Sequence, residues 1–326
     1  MSKPIIQLIS LTIALVSLFS LAFSSPMKDR FIGIDPILKK YDSKRDLTDW
    51  EAIVLGVNGM KIKTQFLATP YFTKLEREIK QNKGECKLVT DYARIVLVYK
   101  SHGKDPTRIA GYDFIKKIVN FKGMQNQGIN AYIWALIALF GQGDEITAPL
   151  VEAILSYRQT DGGFGISPQK PDKPPRSDVD LTAMAITALA PYRTEKFDES
   201  FIEDDAVQFL ARHLAENGTF VSAFGGEANS ESICQVIIAL CAANIEITDT
   251  RFAFDGKNPL EALDAYRLPD GQYAHVTGDS GLKADPIATR QAALAISAYQ
   301  KAEAYRRMPD EERMESSKGI GIYEIR

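Results

Sequence analysis

The chain punctuates itself at a regular interval. Asp161-Gly162-Gly163-Phe164, Asn217-Gly218-Thr219-Phe220 and Asp270-Gly271-Gln272-Tyr273 each read Asp or Asn, Gly, spacer, aromatic, with their glycines 56 and 53 residues apart. Weaker copies surround Gly84 (QNKGECK) and Gly128 (QNQGIN). An Asx-Gly pair supplies the positive φ of a tight turn, and the aromatic that follows packs the turn against a core. A period of this size signals an array of supersecondary units, each burying its apolar face against its neighbours.

What lies between the turns defines the unit. After each comes a helix rich in Ala, Leu and Ile: VTDYARIVLVYKSHG, INAYIWALIALFGQG, DLTAMAITALAPY, ESICQVIIALCAAN and PIATRQAALAISAYQKA. These are apolar on most faces and belong inside. Before each turn sits an amphipathic helix: FTKLEREIKQ, IAGYDFIKKIVNF, APLVEAILSYRQ, FIEDDAVQFLARHLAEN and NPLEALDAYR. TDWEAIVLGVNG makes a sixth inner helix, with a poorer partner before it. No alternating run is long enough to require a sheet. Two concentric layers follow, and about six pairs close a ring that leaves no repeat with an exposed apolar face. The expected fold is all-α, an α/α toroid over residues 47–306, after an N-terminal segment at 25–46 and before a charged, mobile tail at 307–326.

The first 24 residues differ. Lys3 is the only charge before Lys28, and the apolar stretch IIQLISLTIALVSLFSLAFSS exits through Ala22 and Ser24. This is the pattern of a secretory signal, cleaved after Ser24. The alternative is an uncleaved membrane anchor over residues 5–25. The next longest apolar run, Ala131 to Gly141, is eleven residues, the length of a buried helix. A net charge of −3 offers no basic field for nucleic acid. Three cysteines (Cys86, Cys234, Cys241) are too few for a disulfide framework. The expected partners are a small molecule or another exported protein.

The turns, with SDVDLTAMAITALAPY, NSESICQVIIAL and DPIATRQAALAISAY, resemble the prenyltransferase and squalene-cyclase repeat superfamily from about Trp50 to Tyr305. Within it, INAYIWALIAL and DVDLTAMA look most like secreted bacterial toroid proteins related to the α-domain of vitamin B12 carriers. The resemblance implies three activities. Related cyclases protonate an alkene with the middle aspartate of D-x-D-D. Here the string is Asp178-Val179-Asp180-Leu181, so Asp180 stands at the acid's position, Asp178 precedes it, and leucine takes the last place. Such an acid needs neighbours that favour its anion and aromatic faces for the cation; Trp50, Trp134, Tyr92, Tyr132 and Phe164 are the aromatics at hand. Protein prenylation implies a zinc site with an Asp-x-Cys pair, which this sequence lacks, and His102, His213 and His275 read as surface or capping residues. Corrinoid carriers imply ligand binding without catalysis.

On the third reading, Asp178 and Asp180 cap the helix that begins LTAMAITAL, and Asn130 and Glu231, aligned with Asp180, do the same for theirs. A ring mouth formed by helix starts and turns then holds the ligand, with Asn130, Trp134, Phe164, Asp180, Glu227, Glu231, Tyr273 and Asp285 around it. A glycosidase or lyase reading needs two spaced carboxylates; Asp180, Glu227, Glu231 and Asp285 are acidic and near the mouth, and no spacing selects a pair. No metal or cofactor is implied by the residues themselves; a corrinoid or an isoprenoid is the ligand class the resemblance suggests. The sequence favours an exported binding toroid, with a terpene cyclase using Asp180 as acid as the alternative.

Overall fold

The structure is a computed structural model and describes residues 33–63, 70–192, 201–224, 226–278, 281–315 and 321–323. The expected export signal at 1–24 lies outside them. Gly33 to Asp35 are the described part of a first unit, and residues 36–326 make up a second. Within the second unit the expected alternation of helices is present. Numbered in chain order, α1 is Asp35–Asp42, α2 Asp49–Val57, α3 Tyr71–Gln81, α4 Val89–Ser101, α5 Phe114–Val119 and α6 Ile129–Ala138. They are followed by α7 Asp144–Leu155, α8 Val179–Leu189, α9 Gln208–Arg212, α10 Ser230–Ala242, α11 Pro259–Asp264 and α12 Pro286–Arg306, with α13 Asp310–Glu315 at the end. The outer helix before α10 begins as a π-helix at Phe201–Val207.

Even-numbered helices are the inner ring. In α10 nearly every residue from Ser230 to Ala242 is buried, as its lack of a polar face requires. In α3, by contrast, only Tyr71, Leu75 and Ile79 are buried, one stripe at intervals of four. Each inner helix packs on the next, α2 on α4, α4 on α6, and so on to α12, which returns to α2. The closure is specific: Asn58, at the end of α2, donates from Nδ2 to Ser297 Oγ of α12 at 2.9 Å. The corner at Gly271 abuts Pro36 of α1 so tightly that a Cβ there would lie 2.7 Å from the proline ring. Helix α1, with Ile37, Leu38 and Tyr41 buried, is therefore the outer member of the first pair. The ring starts near residue 36, not 47.

The recurring corner has one geometry. The N–H of Gln159, Ala215 and Leu268 donates to the carbonyl of Gly163, Thr219 and Gln272 at 2.8, 2.9 and 2.8 Å. In each, the Asx side chain (Asp161, Asn217, Asp270) accepts from the backbone N–H two residues on. The glycines between adopt φ of +90°, +80° and +84°, and Phe164, Phe220 and Tyr273 are buried behind them. The one ladder among the described residues pairs Phe164–Gly165 (β1) with Ser177–Asp178 (β2), two residues a side, so the all-α expectation holds. The tail departs from expectation. Ile322 and Tyr323 are buried in the second unit, so residues 321–323 are not a mobile end. No helix among the described residues is long and apolar enough to cross a membrane.

Gly218 tests the corner. A Cβ there would meet the Phe254 ring at 2.3 Å, and an L-residue at its φ of +80° is strained. Gly218→Ala should lower unfolding stability by at least about 1–2 kcal/mol in urea titration. Ala at Gly103, also at positive φ but with open space beside it, should cost less.

Candidate functional site: a cavity at the ring mouth

The inner helices begin at one end of the ring, and their second residues share a direction. Trp50 of α2, Thr90 of α4, Asn130 of α6 and Asp180 of α8 all line one open cavity of ≈ 750 Å³. One turn further in, at the i+4 position, Arg94, Trp134 and Met184 continue its wall. Leu88, Leu181 and Phe224 add apolar surface. Because Thr90 is small, the two tryptophans meet in front of α4, with ring centroids 5.1 Å apart in an edge-to-face arrangement.

Two aspartates two residues apart serve different ends. Asp178 is the N-cap of α8: its Oδ1 accepts from Leu181 N–H at 2.9 Å. Its Oδ2 accepts from Ser222 Oγ and Ala223 N–H, both at 2.7 Å. Fully buried, with both oxygens engaged, it ties the α8 start to the loop before α10. Asp180 caps nothing. It sits in the first turn of α8, and its buried Oδ1 has no hydrogen-bond partner. Burial is the main reason its pKa rises from 3.8 to about 6; the Ser232 hydroxyl opposes the rise, the carboxylates of Asp178 and Glu231 add to it, and Ser222 opposes it again. The buried hydroxyl of Ser232 is close enough to lower that pKa but makes no hydrogen bond of normal geometry. Unsatisfied buried polar atoms are rare enough to need a reason, and a ligand would supply one here.

The capping expectation is thus corrected. Asp178 caps α8 as expected, but the other caps are Asn229 and Asp285, each two residues before the second helical position, and α6 has no side-chain cap at all. Asn130, Asp180 and Glu231 occupy the second helical position, from which Asn130 and Asp180 turn into the cavity instead of back to the N–H groups. Of the expected mouth residues, the cavity gathers Asn130, Trp134 and Asp180, with Asp178 behind. Phe164 and Tyr273 are core residues of their corners. Glu227 is exposed and does not line the cavity, and Asp285 is spent on Ile287 and Ala288 N–H. Glu231 Oε2 faces His275 Nδ1 at 2.8 Å. Tyr92 packs on Phe114 and Phe121, and Tyr132 on Tyr157, so neither walls the cavity. Arg94, the cation of the wall, was missed by sequence. It binds Asp49 at 2.8 Å and Asp91 at 3.0 Å, so the mouth carries no surplus positive charge. Extending the Asn130–Asp180–Glu231 column to α2 and α4 would have found Trp50 and Thr90.

No protein-family model matches the chain. The drimenyl diphosphate synthase of Streptomyces showdoensis is 30% identical over 148 residues, which covers 44% of this chain and 25% of that enzyme. The chain therefore matches about a quarter of its relative's length. The structure superposes on the Candida albicans protein geranylgeranyltransferase-I complexed with GGPP with a TM-score of 0.50 at 11% identity, covering 88% of this chain and 90% of that one. The fold is an α/α toroid like that of the geranylgeranyltransferase.

Asp178→Ala should cost about 2–4 kcal/mol, the cap plus two buried donors left unpaired. Asp180→Asn should do the opposite. A carboxyl with its folded pKa raised binds protons more readily folded than unfolded, so its stability contribution is intact below 3.8 and is lost as pH climbs toward about 6. At pH 7 the Asn variant should be the more stable protein, by up to about 3 kcal/mol, and the difference should vanish near pH 4. Denaturant titrations at both pH values would show it; equal gaps at the two would mean Asp180 is solvated.

Proposed function

We propose that the ring takes the apolar end of a linear isoprenoid into its mouth and that Asp180 is the general acid that protonates it, a terpene-cyclase-like reaction. The observation that carries this is the Asp180 carboxyl, one oxygen of which is buried without a hydrogen-bond partner, in a cavity also lined by Trp50 and Trp134. A pKa of about 6 keeps the proton on the carboxyl in mildly acidic solution, the condition for a general acid. The proton passes to one alkene carbon, the cation forms on the other, and the tryptophan faces stabilise it. The name of the partly similar synthase from Streptomyces showdoensis supports the same chemistry. Trp, Leu and Met walls suit an isoprenoid better than a corrinoid, whose edge is polar. With Arg94 already held by Asp49 and Asp91, an anionic headgroup would stay outside the cavity.

A second reading is binding without turnover. Leu181 removes the neighbouring carboxyl, and Asp178 has both oxygens committed, so no second acid helps Asp180 release its proton. Export through residues 1–24, or anchorage through 5–25, belongs to the proposal in either form, as does a partner among exported proteins.

Incubation of the purified protein with linear isoprenoids, followed by mass spectrometry, separates the two. Cyclised product that disappears in Asp180→Asn supports catalysis. Its rate should be level below pH 6 and fall about tenfold per unit above it, since the protonated form is the active one. Bound but unchanged isoprenoid supports the second reading, and neither product nor binding rejects both.

A further inference from the structure

The end of the ring opposite the mouth is also occupied. Gly321, Ile322 and Tyr323 lie at the C-terminal ends of α6 and α8, beside Leu136, Phe140 and Thr187. The Ile322 carbonyl accepts from Lys301 Nζ of α12 at 2.9 Å. The next residue, Tyr323, sets its ring edge-to-face on Trp134 of α6, centroids 5.9 Å apart. In a closed ring of six inner helices, α6 and α12 stand opposite one another. Two consecutive residues joined to both must cross the axis. Trp134 lines the mouth cavity from above and touches Tyr323 from below, five residues or about 7.5 Å down α6 from its start at Ile129.

We infer that Ile322 and Tyr323 are the floor of the toroid, and that Tyr323, acting through Trp134, sets the length of apolar chain the cavity accepts. Tyr323 is a specificity-determining residue that touches no reacting atom. Its apolar ring, 5% exposed, takes the space a longer ligand would enter. Removing the ring leaves a void lined by Trp134, Leu136 and Thr187, continuous with the mouth once Trp134 tilts. The length claim rests on the isoprenoid reading above; the floor itself does not.

The chain has two tryptophans, so a Trp50→Phe background leaves Trp134 as the sole emitter. In that background Tyr323→Ala, and separately deletion of residues 321–326, should raise acrylamide quenching of Trp134 about twofold as its lower edge is uncovered. Tyr323→Phe, which keeps the ring, should leave quenching as it was. Unchanged quenching in Tyr323→Ala, with the helical circular dichroism intact, overturns the floor. Binding of geraniol, farnesol and geranylgeraniol is then measured with Trp50 restored. The Ala variant should favour the longest alcohol over farnesol by about tenfold more than the parent does, since an extra isoprene unit is buried. Raised quenching with an unchanged length preference overturns the length-setting role. Raised quenching with no alcohol bound by either protein supports the floor and counts against the isoprenoid reading alone.

Discussion

Helices with no polar face cannot stop at a free edge. The inner helices of this protein are apolar on nearly every side, and each satisfies that demand only by packing on two inner neighbours and an outer one. A closed circle is the arrangement that leaves none of them uncovered, and the Asn58–Ser297 bond and the Gly271–Pro36 contact are where the circle shuts. Everything at the mouth follows from closure. Inner helices joined through outer ones all start at the same end, so their first turns converge, and the second residues of α2, α4, α6 and α8 line one cavity.

That convergence explains how two like residues acquire unlike roles. Asp178 precedes the helix in extended backbone, where its carboxyl reaches back to an amide of the first turn and across to Ser222 and Ala223. Asp180 is inside the turn, where its carboxyl projects toward the axis and meets apolar walls and two other carboxylates. One has both oxygens engaged by three donors; the other has a buried oxygen with no donor, and burial raises its pKa to about 6. The difference arises from two residues of chain, one before the helix in extended backbone and one inside its first turn, and no property of aspartate itself distinguishes them.

Most of the architecture was legible in the chain. The Asx-Gly-x-aromatic corners are local chemistry, and they fall where expected with one shared hydrogen-bond pattern. The apolar and amphipathic strings became inner and outer helices in the expected order, because their burial demands are intrinsic, though outer helices such as Phe114–Val119 and Pro259–Asp264 are shorter than their strings. The site was less legible. The column of Asn130, Asp180 and Glu231 is visible in the sequence, but it reads there as capping because a capping position and an axis-facing position differ by only two residues. Phe164 and Tyr273 were placed at the mouth although an aromatic that seals a corner must point into the core. Arg94 and Thr90 carried no motif and matter only through what stands beside them.

By itself the sequence determined the unit: a corner, a polar-faced helix, an apolar helix, repeated until a ring could close. These are short-range properties, set by backbone sterics and by which faces water tolerates. Only the tertiary structure decided which side chains share the cavity, that one oxygen of Asp180 stands without a partner while Asp178 is saturated, and that a charged tail carries a tyrosine lodged against Trp134. Those outcomes depend on residues brought together from distant repeats, and desolvation of a carboxyl or seating of a ring is a property of the surroundings and not of the residue.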